Sequence, residues 1–518
     1  MSSSVRVRCL ASLLCLVVLS SNCVVRGPVA ARPVTPSVET VRVSSPVKAH
    51  LVDGTTIVYA NGLTIGDGRL VGYGIHYDLT LTVLGPIAEV PLDRVLALES
   101  FENTLNKGMT ALATSGVTAA AVVGAAVLTV AIFGSCPTIY SESDGREELE
   151  AELFSYSIAP IFELQDLDRL RAQPGTDGSL RLDVRNEALE THYLNHLALI
   201  EVQHAPDEIV MPDTHGNPVA LSALSSPEQI VDRKGRDLLT TLRDEDDLAF
   251  RTDRATMSEV NLQDLRDSIE IRFPAPQDRD HVALVFRLRN SLLNTVLFYD
   301  MMLGAAGARS LDWLGKDLGQ IGPALELSGW YSSRMGMRVS IWKDGAYREV
   351  ARVPDTGPIA WKDVAVVLPI PGAGDMRVRL DFVADNWRID RLRVAAGVRS
   401  PAIRSIPITK VVATGGVSDP AALRSLESSD DQYLRTSPGQ GFKIVFDAGE
   451  SPAAVSRTFL LASQGYYTEW IRGSWIQSAG RRDAFVPTDE ALLQTILRWR
   501  DVQPEFEARF DATRIPVR

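Results

Sequence analysis

The feature that most constrains the fold is a long uncharged segment, which separates a short N-terminal part of the chain from a long C-terminal part. Residues 108–141 contain no charged side chain, and residues 109–133 within them are almost wholly apolar or small. A bilayer core is crossed by roughly 20 apolar helical residues, so this segment is long enough to span it. We predict a transmembrane helix over residues 109–133. The alternative is a buried Ala-rich helix, because several Gly, Ser and Thr residues lower the hydrophobicity.

The N-terminus has the pattern of a secretory signal. Arg6 and Arg8 precede an apolar run over residues 9–19, and small polar residues follow it. Cys23 stands where a bacterial lipoprotein signal places its lipidated cysteine, so we predict a signal sequence over residues 1–23 and lipidation at Cys23. An ordinary cleavage site after Ala31 is the alternative. Residues 24–45 are assigned to a tether, because the stretch from 32 onwards is rich in Pro, Val, Ser and Thr without periodicity.

Length and composition limit the classes of protein that this chain can belong to. A chain of 518 residues predicts roughly three or four domains. Its net charge of -12 argues against nucleic-acid binding, which requires concentrated Lys and Arg. Three of the four cysteines lie within the first 23 residues, which leaves Cys136 as the one thiol of the rest of the chain. A disulfide framework is therefore excluded there.

Residues 46–102 predict a small β-barrel-like module. Short alternating segments are separated by turn dipeptides such as Asn61-Gly62, a pattern typical of a β-meander. The closing segment Val90-Pro-Leu-Asp-Arg-Val-Leu-Ala-Leu98, after a Gly-rich hairpin, resembles small barrel modules of bacterial envelope proteins. His76 lies on one of these strands, and we interpret it as a structural residue.

The region after residue 134 is charged and rich in strand-like segments, such as Ser179-Leu-Arg-Leu-Asp-Val-Arg185. The overall prediction is a mainly β fold with tandem β-sandwich or jelly-roll-like domains. We divide the region into a β-rich domain over 134–257, a β-sandwich over 267–396 and a β-rich domain over 402–518 that ends in a helix. Thr488, followed by two acidic residues, is the predicted N-cap of that helix.

Two resemblances refine this prediction. The Trp387-Arg-Ile-Asp390 ending, with Gly357-Pro358 between earlier strands, resembles the layout of galactose-binding-like sandwich modules. The combination of Ser135-Cys136-Pro137 after a span with Arg457-Thr-Phe-Leu-Leu before Gly465-Tyr-Tyr resembles an uncharacterised family of bacterial membrane-anchored envelope lipoproteins. The resemblance implies a location and a layout, without an activity.

The one metal-like cluster consists of four histidines within 24 residues: His192, His196, His204 and His215. No Glu follows the first His as it does in hydrolytic zinc sites, and a strand is predicted from residue 197. We therefore predict no metal site. The acidic stretch 244–247 lacks the ligand pattern of a calcium loop. The motifs of common hydrolases and nucleotide-binding enzymes are also absent from the sequence, so we predict neither a catalytic residue nor a cofactor.

Tryptophans are the predicted ligand-binding residues, because flat aromatic surfaces stack on sugar rings. The candidates are Trp330, Trp342, Trp361 and Trp387. The alternative interpretation is packing within the sandwich, where each aromatic side chain contributes a large apolar area.

These observations together predict a membrane-anchored protein of the cell envelope that binds or scaffolds a partner and is not an enzyme. The predicted partners are the membrane and either a glycan or another envelope protein. We expect the large C-terminal region to be extracytoplasmic, because its β-modules resemble envelope modules. The alternative function is an envelope hydrolase with a metal or acid/base site assembled around residues 192–215.

Overall fold

The computed structural model describes residues 40–79, 81–101, 136–143, 145–276, 279–372, 374–413, 416–450, 455–476 and 487–517. The predicted signal sequence, Cys23 and the predicted transmembrane segment 109–133 lie outside the described residues. Within the described ranges, no helix is long and apolar enough to cross a membrane. The fold is mainly β, as predicted.

An antiparallel sheet contains the predicted small β module. Its first strand lies within residues 24–45, the predicted tether. Val41 pairs with Ile65, and the backbone hydrogen bonds fix residues 41–43 in the sheet. The tether prediction is therefore wrong at its C-terminal end. Seven strands come from this part of the chain: β1 (Val41–Val43), β2 (Val47–Leu51), β3 (Thr56–Tyr59), β4 (Leu63–Gly66), β5 (Arg69–Tyr77), β6 (Val83–Pro91) and β7 (Val95–Ser100).

The next five strands begin a first β-sandwich. Strand β11 has the bounds that its alternating sequence predicts, with Leu180, Leu182 and Val184 buried. The strands are β8 (Thr138–Ser143), β9 (Arg146–Glu152), β10 (Leu164–Leu170), β11 (Ser179–Arg185) and β12 (Glu190–His204).

The middle of the chain forms a second sandwich and two helical insertions. Its elements are β13 (Ile209–Pro212), β14 (Pro218–Ser225), β15 (Gln229–Asp232), α1 (Arg254–Glu259), β16 (Arg266–Pro274), β17 (His281–Asn290), a helical segment over 293–317, α2 (Ile321–Arg334), β18 (Met337–Lys343), β19 (Ala346–Val353), β20 (Lys362–Pro369), β21 (Asp375–Val383) and β22 (Trp387–Arg399). The two sheets have the orders β13-β14-β22-β17-β20 and β15-β16-β21-β18-β19. Side chains from both sheets, including Leu284, Val378 and Trp387, share one core.

The last part of the chain returns to the first sandwich. Its elements are β23 (Ile403–Ile406), β24 (Ile408–Ala413), α3 (Pro420–Glu427), β25 (Leu434–Thr436), β26 (Gly441–Asp447), β27 (Ser456–Glu469), β28 (Ile471–Arg472), a helical turn (Gly473–Ile476) and α4 (Asp489–Ala512). Strand β28 joins the N-terminal sheet beside β7, and the path of that sheet runs openly from β1 to β28 among the described residues.

The predicted division into domains 134–257 and 402–518 is corrected by the strand pairing. The two sheets of the first sandwich have the orders β10-β27-β12-β23 and β24-β26-β11-β8-β9, so each contains strands from both predicted domains. Their shared core includes Leu182, Leu199, Ile444 and Phe459. Strands β13 to β15, which were placed with the first domain, instead pair within the second sandwich. The second sandwich, residues 209–399, is thus inserted into the first.

A third core joins the N-terminal sheet to the helices. It combines Tyr59 of the sheet with Leu303 of the helical segment and Trp499 of α4. The predicted start of α4 is confirmed, because the Thr488 hydroxyl accepts a hydrogen bond from the Ala491 amide at 3.1 Å.

Candidate functional site

A cavity of about 600 Å³ opens where both sandwiches meet the helical segment and α2. Its inner wall is formed by buried side chains, among them Phe298, Leu327 and Tyr467, and its mouth includes the exposed Val350 and His215. Apolar and aromatic groups dominate the lining, which also contains Ile158, Phe162, Leu164, Pro354 and Pro358. A mostly apolar cavity with a few converging polar groups is the usual form of a small-molecule site.

The main polar group of the cavity is the carboxyl group of Asp355, which follows β19 by two residues. Three amide groups donate to it: Asn290 Nδ2 to Oδ1 at 3.0 Å, Asn386 Nδ2 to Oδ1 at 3.2 Å and Asn294 Nδ2 to Oδ2 at 3.1 Å. Burial raises the pKa of Asp355, and the three amide donors oppose that shift. Among the described residues, no Lys, Arg or His forms an ion pair with this carboxyl group.

Asn290, at the end of β17, also fixes the loop that carries Asp355. Its Oδ1 accepts from the backbone amides of Thr356 at 2.6 Å and Gly357 at 3.1 Å. Gly357 has a φ of +88°, and an added Cβ would lie 2.6 Å from a carboxylate oxygen of Glu152, so a side chain does not fit here. The loop is therefore held in one conformation with Asp355 facing the asparagines.

Tyrosine rings form much of the remaining wall. Tyr156 and Tyr331 are half-buried, whereas Tyr299 and Tyr467 are almost fully buried. Burial raises the pKa of all four hydroxyl groups, and the negative charge of Asp355 adds to this effect at Tyr156 and Tyr331. All four rings therefore present neutral faces at neutral pH.

A pair of buried carboxyl groups lies behind Tyr299 and Tyr467. Glu190 of β12 and Glu469 of β27 are opposite each other in register, and burial raises the pKa of both. His192 Nε2 lies 2.8 Å from Glu190 Oε1, and burial lowers the pKa of His192 to about 3, so the ring is neutral. One oxygen of each glutamate has no hydrogen-bond donor among the described residues, an environment that favours the protonated form of a carboxyl group.

The four histidines of the predicted metal-like cluster do not converge. His192 contacts Glu190, whereas His196 Nδ1 lies 3.1 Å from the Leu426 carbonyl and His204 Nε2 lies 2.9 Å from Thr458 Oγ1. His215 is exposed at the mouth of the cavity. In the described part of the chain, no group of three or more His, Cys, Asp or Glu side chains is arranged to hold a metal ion. The four histidines therefore do not form the common site around residues 192–215 that the alternative prediction of a hydrolase requires.

The four candidate tryptophans also lie in separate places. Trp387 is fully buried in the second sandwich, and Trp330 is half-buried on α2 rather than on a strand. Trp361 lies near the guanidinium groups of Arg287 and Arg289, which are 4.9 and 4.6 Å from its ring centre. Trp342 is 36% exposed on β18, with the Arg377 guanidinium 4.7 Å from its ring centre. The structure does not bring them together on one surface.

The sequence interpretation missed Asp355 and its three asparagines. They are contributed by the end of β17, the first turn of the helical segment, the loop after β19 and the turn before β22, so no local spacing connects them. The available signal was an acidic residue between two prolines, in Val353-Pro-Asp-Thr-Gly-Pro358, where a loop of fixed shape is expected.

No protein-family model matches the chain, and no curated protein sequence matches it. Among solved structures, the chain is similar to a GH31 α-xylosidase from Xanthomonas citri, with 9% sequence identity and a TM-score of 0.16, over 82% of this chain and 38% of that chain. The chain thus spans well under half the length of that structure, and a likeness at this TM-score carries no conclusion about fold or activity.

Proposed function

We propose that the protein is a binding protein of the cell envelope that holds a small, mostly apolar ligand in the cavity beside Asp355. The observation that carries this proposal is the cavity of about 600 Å³, whose aromatic and aliphatic walls surround one carboxyl group. Apolar walls supply affinity by burying ligand surface, and a few polar groups fix the orientation of the ligand. Burial of a ligand there is the function that the geometry supports best.

The envelope location rests on the sequence. The signal-like N-terminus with Cys23 and the uncharged segment 109–133 support attachment to a membrane, with the large C-terminal region outside the cytoplasm. The Trp387-Arg-Ile-Asp390 ending and Gly357-Pro358 support a likeness to galactose-binding-like modules, and the resemblance to envelope lipoproteins remains part of this proposal.

The cavity is tested with an environment-sensitive apolar dye, N-phenyl-1-naphthylamine, added to the purified full chain. We expect saturable fluorescence enhancement, because the dye leaves water for an apolar wall. Ser328 lies exposed on α2 at the mouth of the cavity, so Ser328→Trp should narrow the entrance and weaken dye binding at least about tenfold, or about 1.4 kcal/mol.

Ser333→Trp is the matched control, since Ser333 is exposed on the same helix and does not line the cavity. Equal dye binding by the two variants and the unmodified protein would place the dye elsewhere and contradict the proposed site.

A glycan at the outer face of β18 is a second proposal, favoured by one observation. Trp342 is exposed there beside a shallow polar pocket of about 270 Å³ that is lined by Glu270, Arg272, Tyr347 and Arg377. An exposed ring next to charged hydrogen-bonding groups suits a sugar, whose ring stacks while its hydroxyl groups bind at the edge.

A further inference from the structure

We propose that the ligand of the cavity beside Asp355 carries a protonated primary amine on an apolar body, with the ammonium group against Asp355 and Asn294. This inference rests on the proposed function and names the class of ligand. Three observations support it: the charge around Asp355, an unused acceptor on Asn294 and the aromatic faces nearby.

The first observation is that the Asp355 carboxylate lacks a counter-charge within the part of the chain that the structure describes. Its three hydrogen-bond donors are neutral amides, which stabilise the anion without cancelling its charge. The lining contains one guanidinium group, that of Arg352, and its Nε and Nη2 donate to Glu349 at 3.0 and 2.8 Å, while its Nη1 donates to the Ser332 carbonyl. A cation inside the cavity would supply the missing positive charge in a region of low dielectric constant, where the attraction is strong.

The second observation is an unused hydrogen-bond acceptor on the same wall. Asn294 lines the cavity, and its Nδ2 is committed to Asp355, while its Oδ1 is buried and has no donor among the described residues. A buried acceptor without a donor costs free energy, and a ligand N–H recovers it once a small rotation of the Asn294 side chain brings Oδ1 to the cavity surface. A primary ammonium group has three N–H donors and can therefore serve Asp355 and Asn294 together.

The third observation is the aromatic wall. Tyr156 and Tyr331 line the same cavity as Asp355. Aromatic faces attract cations, most strongly where water is excluded. Phe298 and Leu327 extend the wall for the apolar part of the ligand. The cavity therefore matches an amphiphilic amine better than a neutral lipid or a fatty acid, whose carboxylate Asp355 would repel.

The test compares three ligands of equal chain length, decylamine, 1-decanol and decanoate, by isothermal titration calorimetry at neutral pH with the full chain. We expect decylamine to bind at least about tenfold more tightly than 1-decanol, and decanoate to bind more weakly than both. Asp355→Asn should remove most of the preference for the amine, measured as the ratio of the decylamine affinity to the 1-decanol affinity in that variant. Asp344→Asn, in the exposed turn after β18, is the matched control and should keep the preference.

The outcomes separate this inference from the proposed function. Equal binding of decylamine and 1-decanol, or a folded Asp355→Asn variant that still prefers the amine, overturns the inference and leaves ligand binding intact. Failure of both ligands to bind contradicts the proposed function itself. If Asp355→Asn does not fold, Asn294→Ala should reduce the preference at least about threefold, and an unchanged preference in that folded variant also overturns the inference.

Discussion

Glu190 and Glu469 lie directly opposite each other on antiparallel strands, and both carboxyl groups are buried. Two negative charges at such a place repel each other and lack water, so the pair holds a proton that an exposed glutamate would release. The neutral His192 beside Glu190 and the Arg472 guanidinium, 3.4 Å from Glu469 Oε1, complete this arrangement. It lies behind two tyrosines of the cavity wall and stabilises the place where β12 meets β27.

The protonated pair predicts a stability that falls as the pH rises. The native pair binds a proton that the unfolded chain releases above the ordinary glutamate pKa of 4.5. The contribution of this proton to the stability of the folded protein is therefore full below pH 4.5. It is lost as the pH rises through the raised pKa of the native pair. The free energy of unfolding in urea should be measured at about pH 5 and at about pH 8. Between these pH values it should fall less in Glu469→Gln than in the unmodified protein, by at least about 1.4 kcal/mol. Glu326→Gln, at an exposed position of α2, should behave like the unmodified protein. An identical pH dependence in Glu469→Gln would show that Glu469 does not hold the proton.

Lys362 is a largely but not fully buried cation between two carboxylates at the contact of the two sandwiches. Its Nζ lies 3.1 Å from Asp168 Oδ1 and also binds Asp166. Lys362→Met would leave both acids without a counter-charge, so we expect a loss of about 3–5 kcal/mol at neutral pH in urea unfolding. Replacing both aspartates by Asn in the same variant should recover much of this loss. Lys343→Met, at an exposed position, should change stability by less than about 0.5 kcal/mol. A similarly small effect at Lys362 would mean that water reaches the two acids.

The N-cap of α4 gives a prediction with a built-in control. Thr488→Ala removes the acceptor of the Ala491 amide and should cost about 1 kcal/mol in denaturant unfolding, whereas Thr488→Ser keeps a hydroxyl group and should cost much less. If Ser and Ala are equally destabilising, the contribution of Thr488 comes from its methyl group rather than from the cap.

Trp342 tests the second proposal. Because the ring is 36% exposed, Trp342→Ala should change the free energy of unfolding by about 1 kcal/mol or less while abolishing retention on a glycan array. Lys343→Ala, at the neighbouring exposed position, should retain binding. Glycan binding that survives in Trp342→Ala would remove this face from consideration.

Local features of the fold could be predicted from the sequence because their physical cause is local. The alternation of Ser179–Arg185 marks one buried and one exposed strand face, and Thr488 caps a helix within three residues of itself. Burial on α4 also follows the helical period, with Leu492, Ile496 and Trp499 fully buried.

Pairing between strands could not be predicted in this way. The sequences of β12 and β27 are each compatible with a β-strand. Neither sequence indicates which strand it pairs with, and the two are more than 250 residues apart. The cavity could not be predicted either, because it also depends on contacts between distant parts of the sequence. Asn290, Asp355 and Asn386 come together only after the second sandwich has formed. The tryptophans misled the interpretation because a large apolar ring suits a core as well as a ligand surface, and burial alone distinguishes the two.

The insertion of one sandwich into the other has a consequence for synthesis on the ribosome. Arg457 of β27 donates a hydrogen bond to Glu201 of β12, and the two residues are 256 positions apart in the sequence. Strand β12 therefore cannot pair with β27 until the chain between them has been synthesised. At ordinary elongation rates this delay is on the order of ten to fifty seconds, during which a long strand that is mostly buried in the folded protein stays without its lasting partner. The inserted sandwich can close on itself in that interval, with Glu208 and Arg399 joining its two ends at 2.7 Å. We therefore expect the nascent first sandwich to need shielding by chaperones during this interval.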